Sequence, residues 1–406
     1  MPDGTTVKAD IAVIGAGAVG SACAHALVRQ GFDVILVDAA SPTAGTSGAC
    51  SGLIAVSTKK PGLVLDLAVA SKALYPEIVG DLHQPVEYRQ SPTLILIEHE
   101  AEKPALERTQ KAAAELGFRL DYLNRNDVRN REPHLCGDLV GALRCEDEQV
   151  VNPYLMNLAL AQRAIALGVR PLFGVRPIHV DVTNGQITGI ETTAGHIDAE
   201  QYVFAVGAWS AELGALVGLD LRVVPRRGEV AVTARVRQLV EHYVMTAGSM
   251  IAKNDPKVAE RSSDPLMQMG GGLGIHMTGE GQVALGTTRA FAGFDRTSSE
   301  AGISAILSAA ALRLPALVDV PILRCFVGLR PHVPDGRPLI GRSRRLNNLL
   351  VATGHDGDGI SLSVITGALI ADLAAGRSPA VDLTAADPDR FTEIQADNNE
   401  VALATT

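Results

Sequence analysis

Val13-Ile14-Gly15-Ala16-Gly17-Ala18-Val19-Gly20 stands where a short apolar strand passes into a helix, the position of a dinucleotide pyrophosphate. Residues 8–14 read as a buried strand and residues 17–30 as an amphipathic helix, so the unpaired N–H groups and positive dipole end of that helix face the phosphate. Gly15 permits the tight turn, Gly17 lets the backbone approach the pyrophosphate, and Gly20 lets the helix pack closely on the sheet. A second apolar run, Asp33-Val-Ile-Leu-Val37, ends in Asp38, about 20 residues beyond the glycines, where an acidic side chain holds a ribose hydroxyl. A lone G-x-G-x-x-G is often an ordinary turn. Strand, glycines, helix, strand and acid in register point to a Rossmann-like nucleotide domain.

The chain is 406 residues long, too long for one simple core, and its length fits two domains or three. Hydrophobic residues make up 47% and charged residues 20%, the texture of a globular protein. The 36 Lys+Arg against 45 Asp+Glu give a formal charge of -9 without basic blocks, which argues against nucleic acid as a partner. Cys23, Cys50, Cys136, Cys145 and Cys325 form no CxxC pair, so neither a metal centre nor a disulfide framework is expected, and a reducing compartment fits. The first strand follows Met1 within about ten residues, without a basic and then apolar leader. The longest apolar run, residues 352–375, is broken by His355, Asp356, Asp358 and glycines. These features predict a cytoplasmic protein with no transmembrane segment.

Beyond Asp38 comes a loop of small residues, 41–52, able to lie flat against a ligand or to run free over the surface. The texture changes near residue 86, with a strand at 93–97, a helix over 100–116 and a polar stretch closing at Arg131-Glu132-Pro133-His134-Leu135, which reads as an inserted module. A helix over 154–167 is followed by strands through Val180, 187–190 and 196–199, with Asn184-Gly185 as a hairpin turn. The strand 202–206 runs into Gly207-Ala208-Trp209-Ser210, a second strand-to-helix turn. Residues 222–325 suggest antiparallel strands and one helix near 299–312, and a strand at 349–352 then leads through glycines into a helix over 360–375. The expected division is 1–85, 146–221 and 326–406 for a discontinuous nucleotide domain, with 86–145 and 222–325 for an interwoven substrate domain. The fold class is thus α/β plus antiparallel β.

Three further segments carry a family signature: Cys325-Phe-Val-Gly-Leu-Arg-Pro331, Asp335-Gly336-Arg337-Pro338-Leu339-Ile340-Gly341, and Val351-Ala-Thr-Gly354-His355-Asp-Gly-Asp-Gly359-Ile360. With the N-terminal motif, Gly207-Ala208-Trp209-Ser210 and Pro225-Arg226-Arg227-Gly228, their order resembles the D-amino acid oxidase superfamily of flavoenzymes over nearly the whole chain. Gln282-Val-Ala-Leu-Gly286-Thr-Thr-Arg289-Ala-Phe291-Ala-Gly293-Phe294-Asp295 resembles more narrowly the beta subunits of opine (octopine, nopaline) oxidase, D-hydroxyproline dehydrogenase and hydrogen cyanide synthase.

The resemblance implies FAD as cofactor, with Gly15, Gly17 and Gly20 around its pyrophosphate and Asp38 on the ribose. It places Thr46, Ser47, Ser51, Gly52 and Gly207 along the cofactor and the Val175 backbone at the adenine. Gly354, His355, Gly357, Gly359 and Ile360 would bring a helix start beside the isoalloxazine, where unpaired N–H groups stabilise the negative charge of reduced flavin. Arg330 is the expected contact for the substrate carboxylate, since its planar fork suits a bidentate pair. His355 is read either as a participant in catalysis or as a packed neutral histidine. In glycine oxidase a second arginine follows the Gly-His pair, where this chain has Gly357, which favours room for a larger substituent on nitrogen.

The implied chemistry is oxidation of a C–N bond, with hydride passing from the alpha carbon to flavin N5 and water hydrolysing the imine. A deprotonated amine held over the flavin suffices, so no catalytic base is assigned. The expected substrate is an opine-type secondary amine or a D-amino or D-imino acid. The expected assembly is a hetero-oligomer with an iron–sulfur and flavin partner, including an FMN shared between subunits, and peripheral contact with the inner membrane fits such a complex. Alternatives are a stand-alone D-amino acid or glycine/sarcosine oxidase and a non-catalytic flavin relay subunit. A NAD-dependent dehydrogenase is favoured only by the first 40 residues.

Overall fold

The near-continuous apolar runs at 11–14 and 34–37 are what a parallel strand covered on both faces requires. In the computed structural model, which describes residues 6–391 apart from 60, 116 and 255–263, both are central. Thr6–Ile14 lies between Gly195–Phe204 and Val34–Asp38 in an eight-stranded sheet, parallel to each. Arg170–Phe173 extends one side, and Leu349–Thr353 joins Gly195–Phe204 on the other, both in parallel. An outer hairpin turns on Asn184 and Gly185, with φ of 51° and 73°, the two positive values that a type I′ turn demands.

Ala18–Arg29 covers one face of this sheet and crosses Gly359–Ala374. A Cβ at Gly367 would lie 2.5 Å from the Ala22 carbonyl oxygen, so glycine sets the closeness of that crossing. Among the described residues, the segment Asp356–Ala374 alone is long and apolar enough to cross a membrane. Its helix is the core helix of this domain, with Leu362, Ile365, Leu369 and Ile370 buried against the sheet and its neighbours.

The second sheet also has eight strands, running in order Ile322–His332, Val224–Arg235, Gln282–Gly286, Gly274–Met277, Tyr243–Thr246, Thr93–Ile97, Gly141–Cys145 and Leu120–Asn124. Every pairing is antiparallel except Tyr243–Thr246 with Thr93–Ile97. The segments on either side of residues 146–221 are therefore stitched into one sheet. Glu300–Arg313 is the expected helix, and the Ser299 hydroxyl caps it by accepting from Gly302 N–H.

Two readings need correction, and one helix had none. The expected boundary at 326 falls inside Ile322–His332, which pairs with Val224–Arg235 along nearly its full length, so the second sheet extends to His332. Leu63–Asp81 is a 19-residue helix within a stretch that gave no helical reading, because its apolar residues surround the axis instead of forming a stripe and Pro76 interrupts them. The helix expected over 100–116 is a 3₁₀ turn, Glu100–Glu102, followed by Lys103–Glu115.

Candidate active site

The turn after Thr6–Ile14 is shaped by contacts that only glycine allows. Gly15 has φ 107°, and a Cβ there would lie 2.5 Å from the Ala205 carbonyl oxygen; a Cβ on Gly20 would come within 1.8 Å of the Gly15 carbonyl oxygen. Gly17 faces open cleft, with Ser47 Oγ 3.2 Å from where its Cβ would be. Ala18 N–H, at the helix start, donates to Ser47 Oγ at 2.9 Å. Asp38 closes the far side, its two carboxylate oxygens accepting from Ala16 N–H at 2.7 Å and Ala40 N–H at 2.8 Å. Each oxygen has a second lone pair, so the carboxylate is oriented and can still accept a hydroxyl. Val175 N–H donates to the Asp38 carbonyl, which fixes that segment at the same end.

From this turn a single cleft of about 950 Å³ runs to the second sheet. Its walls include Gly15, Gly17, Asp38, Thr46, Ser47 and Val175 at one end, Ser51, Gly52 and Gly207 along its course, and His355, Gly357, Gly359, Ile360 and Arg330 toward the other. Gly20 and Gly354 are not in the wall. Gly20 packs behind the turn, and Gly354, at φ 77°, presses against Val333.

The 41–52 loop is pinned where the two sheets meet. Thr46 Oγ1 donates to the Leu329 carbonyl at 2.6 Å and accepts from Leu329 N–H at 3.1 Å. Gly328 makes room, since a Cβ there would lie 2.6 Å from the Ala49 carbonyl oxygen. The Gly293-Phe294-Asp295 segment secures the same junction: Phe294 stacks on Trp209 and Asp295 pairs with Arg227 at 2.7 Å.

Arg330 projects from Ile322–His332 across Gly228, whose missing side chain leaves the space that the guanidinium fills. Its nitrogens donate to Thr287 Oγ1 at 2.8 Å and the Thr288 carbonyl at 3.2 Å. Burial holds its pKa below the usual arginine value. Gly357 lies over it, the position of a Cβ being 3.6 Å from Arg330 Cδ and Nε, an ordinary van der Waals approach.

His355 is buried, and its Nε2 lies 3.0 Å from Thr366 Oγ1. The Thr366 hydroxyl gives its own proton to the Leu362 carbonyl, so it accepts from His355 and fixes the Nε2–H tautomer. Burial pushes the His355 pKa down to about 4. Of the two readings of His355, this geometry describes the packed, neutral imidazole.

Four features of the site escaped the sequence reading. Asp356 and Asp358, at the start of the last helix, are held by Arg226 and by Lys59, the latter at 2.5 Å with Lys59 only 4% exposed. Arg289 lines the cleft near Arg330 and donates to the Gly270 carbonyl at 2.6 Å; burial and the neighbouring Arg330 push its pKa down to about 9. Tyr243 stacks on His276 in the same wall, with ring centroids 4.9 Å apart, and burial pushes His276 down to about 4. Thr287 and Thr288 present a hydroxyl and a carbonyl to Arg330. Arg226 and Arg289 lie within motifs that the sequence reading quoted, yet nothing in those motifs says which way a side chain points.

Residues 10–373 match the FAD dependent oxidoreductase family, DAO. Glycine oxidase of Geobacillus kaustophilus (strain HTA426) is 28% identical over 392 residues, covering 93% of this chain and 96% of that protein. Hydrogen cyanide synthase subunit HcnC of Pseudomonas protegens is 25% identical, with 92% of this chain and 94% of that protein covered. The crystal structure of the Geobacillus kaustophilus glycine oxidase superposes with a TM-score of 0.84 at 26% identity, over 94% of this chain and 99% of that one. Gly15 and Gly20 fix the turn so that Gly17 opens its backbone to the cleft, and the cleft beyond is large enough for an extended dinucleotide, so the residues present fit FAD. A family match across nine-tenths of the chain and a cleft of this form lead to one conclusion: the chain belongs to the DAO family of FAD-dependent oxidoreductases, enzymes acting on amino acids and amines.

Proposed function

We propose that the chain oxidises the C–N bond of a secondary amine or a D-amino or D-imino acid, with opine-type substrates favoured, as the catalytic subunit of a heteromeric cytoplasmic dehydrogenase. The observation that carries this reading is Arg330: a guanidinium in the cleft wall with no carboxylate partner among the described residues, beneath a glycine instead of a second side chain. Such a group binds a substrate carboxylate through a bidentate pair, and the space over Gly357 accepts a substituent on nitrogen.

Gly15, Gly17, Asp38, Ser47 and Val175 would hold the pyrophosphate, ribose and adenine of FAD, and Thr46, Ser51, Gly52, Gly207 and the Gly354–Ile360 turn would flank the rest. Gly20 and Gly354 would support this from behind the wall. Bound FAD supplies the two-electron acceptor for oxidation of the C–N bond. Arg330 orients the alpha carbon by its carboxylate, and the second sheet closes the cleft against water. Burial holds the pKa of His355 and His276 well below the ordinary imidazole value, which makes both weak bases toward an ammonium substrate. The amine therefore enters deprotonated, and no catalytic base is assigned. The resemblance to HcnC supports a partner-bearing subunit, and the end-to-end match with glycine oxidase supports the second reading, a stand-alone oxidase.

The test is anaerobic addition of opines, D-hydroxyproline, D-alanine, sarcosine and glycine to the flavin-loaded chain, alone and with co-expressed partner chains. Bleaching of the visible flavin band by an opine or D-imino acid supports the proposal, and bleaching only by glycine or sarcosine, with fast reoxidation in air, supports the stand-alone reading. A flavin that none of them reduces indicates a relay subunit.

A further inference from the structure

The inner end of the cleft holds more positive charge than its own acids answer. Arg226, Lys59, Arg289 and Arg330 gather around Asp356 and Asp358, and both carboxylates are engaged, Asp356 by Arg226 and Asp358 by Lys59. His332 also faces Asp356, at 3.8 Å. Arg330 and Arg289 have no ion-pair partner among the described residues; their hydrogen bonds go to the Thr287 hydroxyl and to the carbonyls of Arg227, Thr288 and Gly270. Both line the cleft. Two enclosed guanidiniums that no carboxylate pairs with directly are costly until a ligand supplies anions. Arg289 is moreover anchored by one nitrogen to Gly270, which leaves the remaining donors of its fork for a ligand.

We infer that Arg330 and Arg289 hold the two carboxylates of one substrate, so the preferred substrate is a secondary amine carrying a carboxylate on the carbon at each side of nitrogen, an N-(1-carboxyalkyl) amino acid. The inference rests on the amine-oxidising reading above and narrows it. Arg330 takes one carboxylate and Arg289 the other, and the nitrogen lies between them. A primary amino acid satisfies only one of the two arginines. The assignment makes Arg289 a specificity-determining residue.

Two unreactive sulfur analogues test this without turnover: thiodiacetate, with two carboxylates, and (methylthio)acetate, with one. Neither can form an imine, and binding to the flavin-loaded chain is read from perturbation of the flavin spectrum and from the thermal shift. The wild type should bind thiodiacetate about 10- to 100-fold more tightly, Arg289→Gln should lose most of that preference, and Arg289→Lys should retain part of it. In turnover, the ratio of kcat/KM for iminodiacetate over that for sarcosine should fall with Arg289→Gln to a similar degree. Equal binding of the two probes by the wild type overturns the assignment, as does an Arg289→Gln variant that weakens both probes equally. If sarcosine bleaches the flavin while the probes bind alike, the second-carboxylate assignment fails and amine oxidation stands. If no amine bleaches it yet thiodiacetate is preferred, amine oxidation fails and the anion pair stands.

Discussion

The two ends of the cleft are built by different means. At the nucleotide end the ligand surface is backbone: a turn, a helix start and an acid within 24 residues of sequence, each held by contacts a side chain would break. At the substrate end the surface is side chains from segments up to about 270 residues apart, with Tyr243, His276 and Arg330 carried by strands of the second sheet and Lys59 and Arg289 by the segments that connect strands and helices. A backbone site tolerates almost no change in shape, whereas a side-chain site can exchange its chemistry while the fold stays. The first end therefore identifies the family and the second decides the substrate.

The sharpest way to break this contrast is Gly20→Ala. The added methyl would sit 1.8 Å from the Gly15 carbonyl oxygen, inside the backbone itself, where no rotamer change can relieve it. A loss above about 4 kcal/mol is expected, enough to abolish folding and FAD retention. Gly218→Ala, away from the cleft, is the control: its φ of 71° costs about 1 kcal/mol, but nothing lies within 4 Å of the added methyl. Urea unfolding and flavin content of both variants give the comparison, and a Gly20→Ala protein as stable as Gly218→Ala would refute it.

Next comes Lys59→Met at the other end. The substitution removes the Lys59 ammonium from Asp358, itself 16% exposed, and breaking a buried pair from one side costs about 3–5 kcal/mol. Lys59→Met combined with Asp358→Asn should recover much of that loss, because the carboxylate that the ammonium faced is then gone. Urea midpoints showing the double variant no better than the single would mean that Lys59 acts through packing alone.

Arg330→Gln should leave the fold nearly intact and cut kcat/KM for flavin reduction by about 30- to 1,000-fold, as loss of one partner of an enclosed charge pair does. Arg330→Lys should recover only part, since an ammonium cannot reproduce the bidentate fork. Stopped-flow reduction under anaerobic conditions measures both. Equal rates for wild type and Arg330→Gln would remove the carboxylate role.

The same contrast explains what the sequence made legible. Gly15, Gly17, Asp38 and the strands around them are local, so a pattern of residues carries them directly. Asn184-Gly185 was readable for the same reason, as two positive φ values in a two-residue turn. Leu63–Asp81 was not, because its exposed positions carry Ala73, Pro76 and Gly80 beside Asp66 and Glu77, too few polar residues to reveal the period. Arg330 was reachable only through its motif, and the boundary at 326 failed there because a strand can belong to a sheet whose other members lie far away in sequence. Arg289 and Lys59 had no signal in spacing. Their roles depend on which carboxylates are already paired, and pairing is a property of the folded chain.

The smallest expected effect separates packing from proton chemistry at His355. Burial holds His355 and His276 near pKa 4 in the folded chain, against an ordinary value of 6.5. Between those values the unfolded chain binds protons that the folded chain does not, so stability falls as pH drops from 6.5 toward about 4. Above 6.5 both forms are neutral and the contribution is complete; below about 4 both are protonated and these two groups add no further slope. His355→Gln removes one of them while an amide nitrogen can still donate toward Thr366, so its melting temperature should decline less steeply between pH 6.5 and 4 than that of the wild type. The kcat/KM profile should keep whatever inflection the wild type shows between about pH 6 and 9, since that inflection belongs to the substrate amine. Loss of the inflection with an unchanged melting slope would make His355 a proton carrier, and the substrate end would then contain a titrating group that its geometry, with Nε2–H committed to Thr366, gives no means of using.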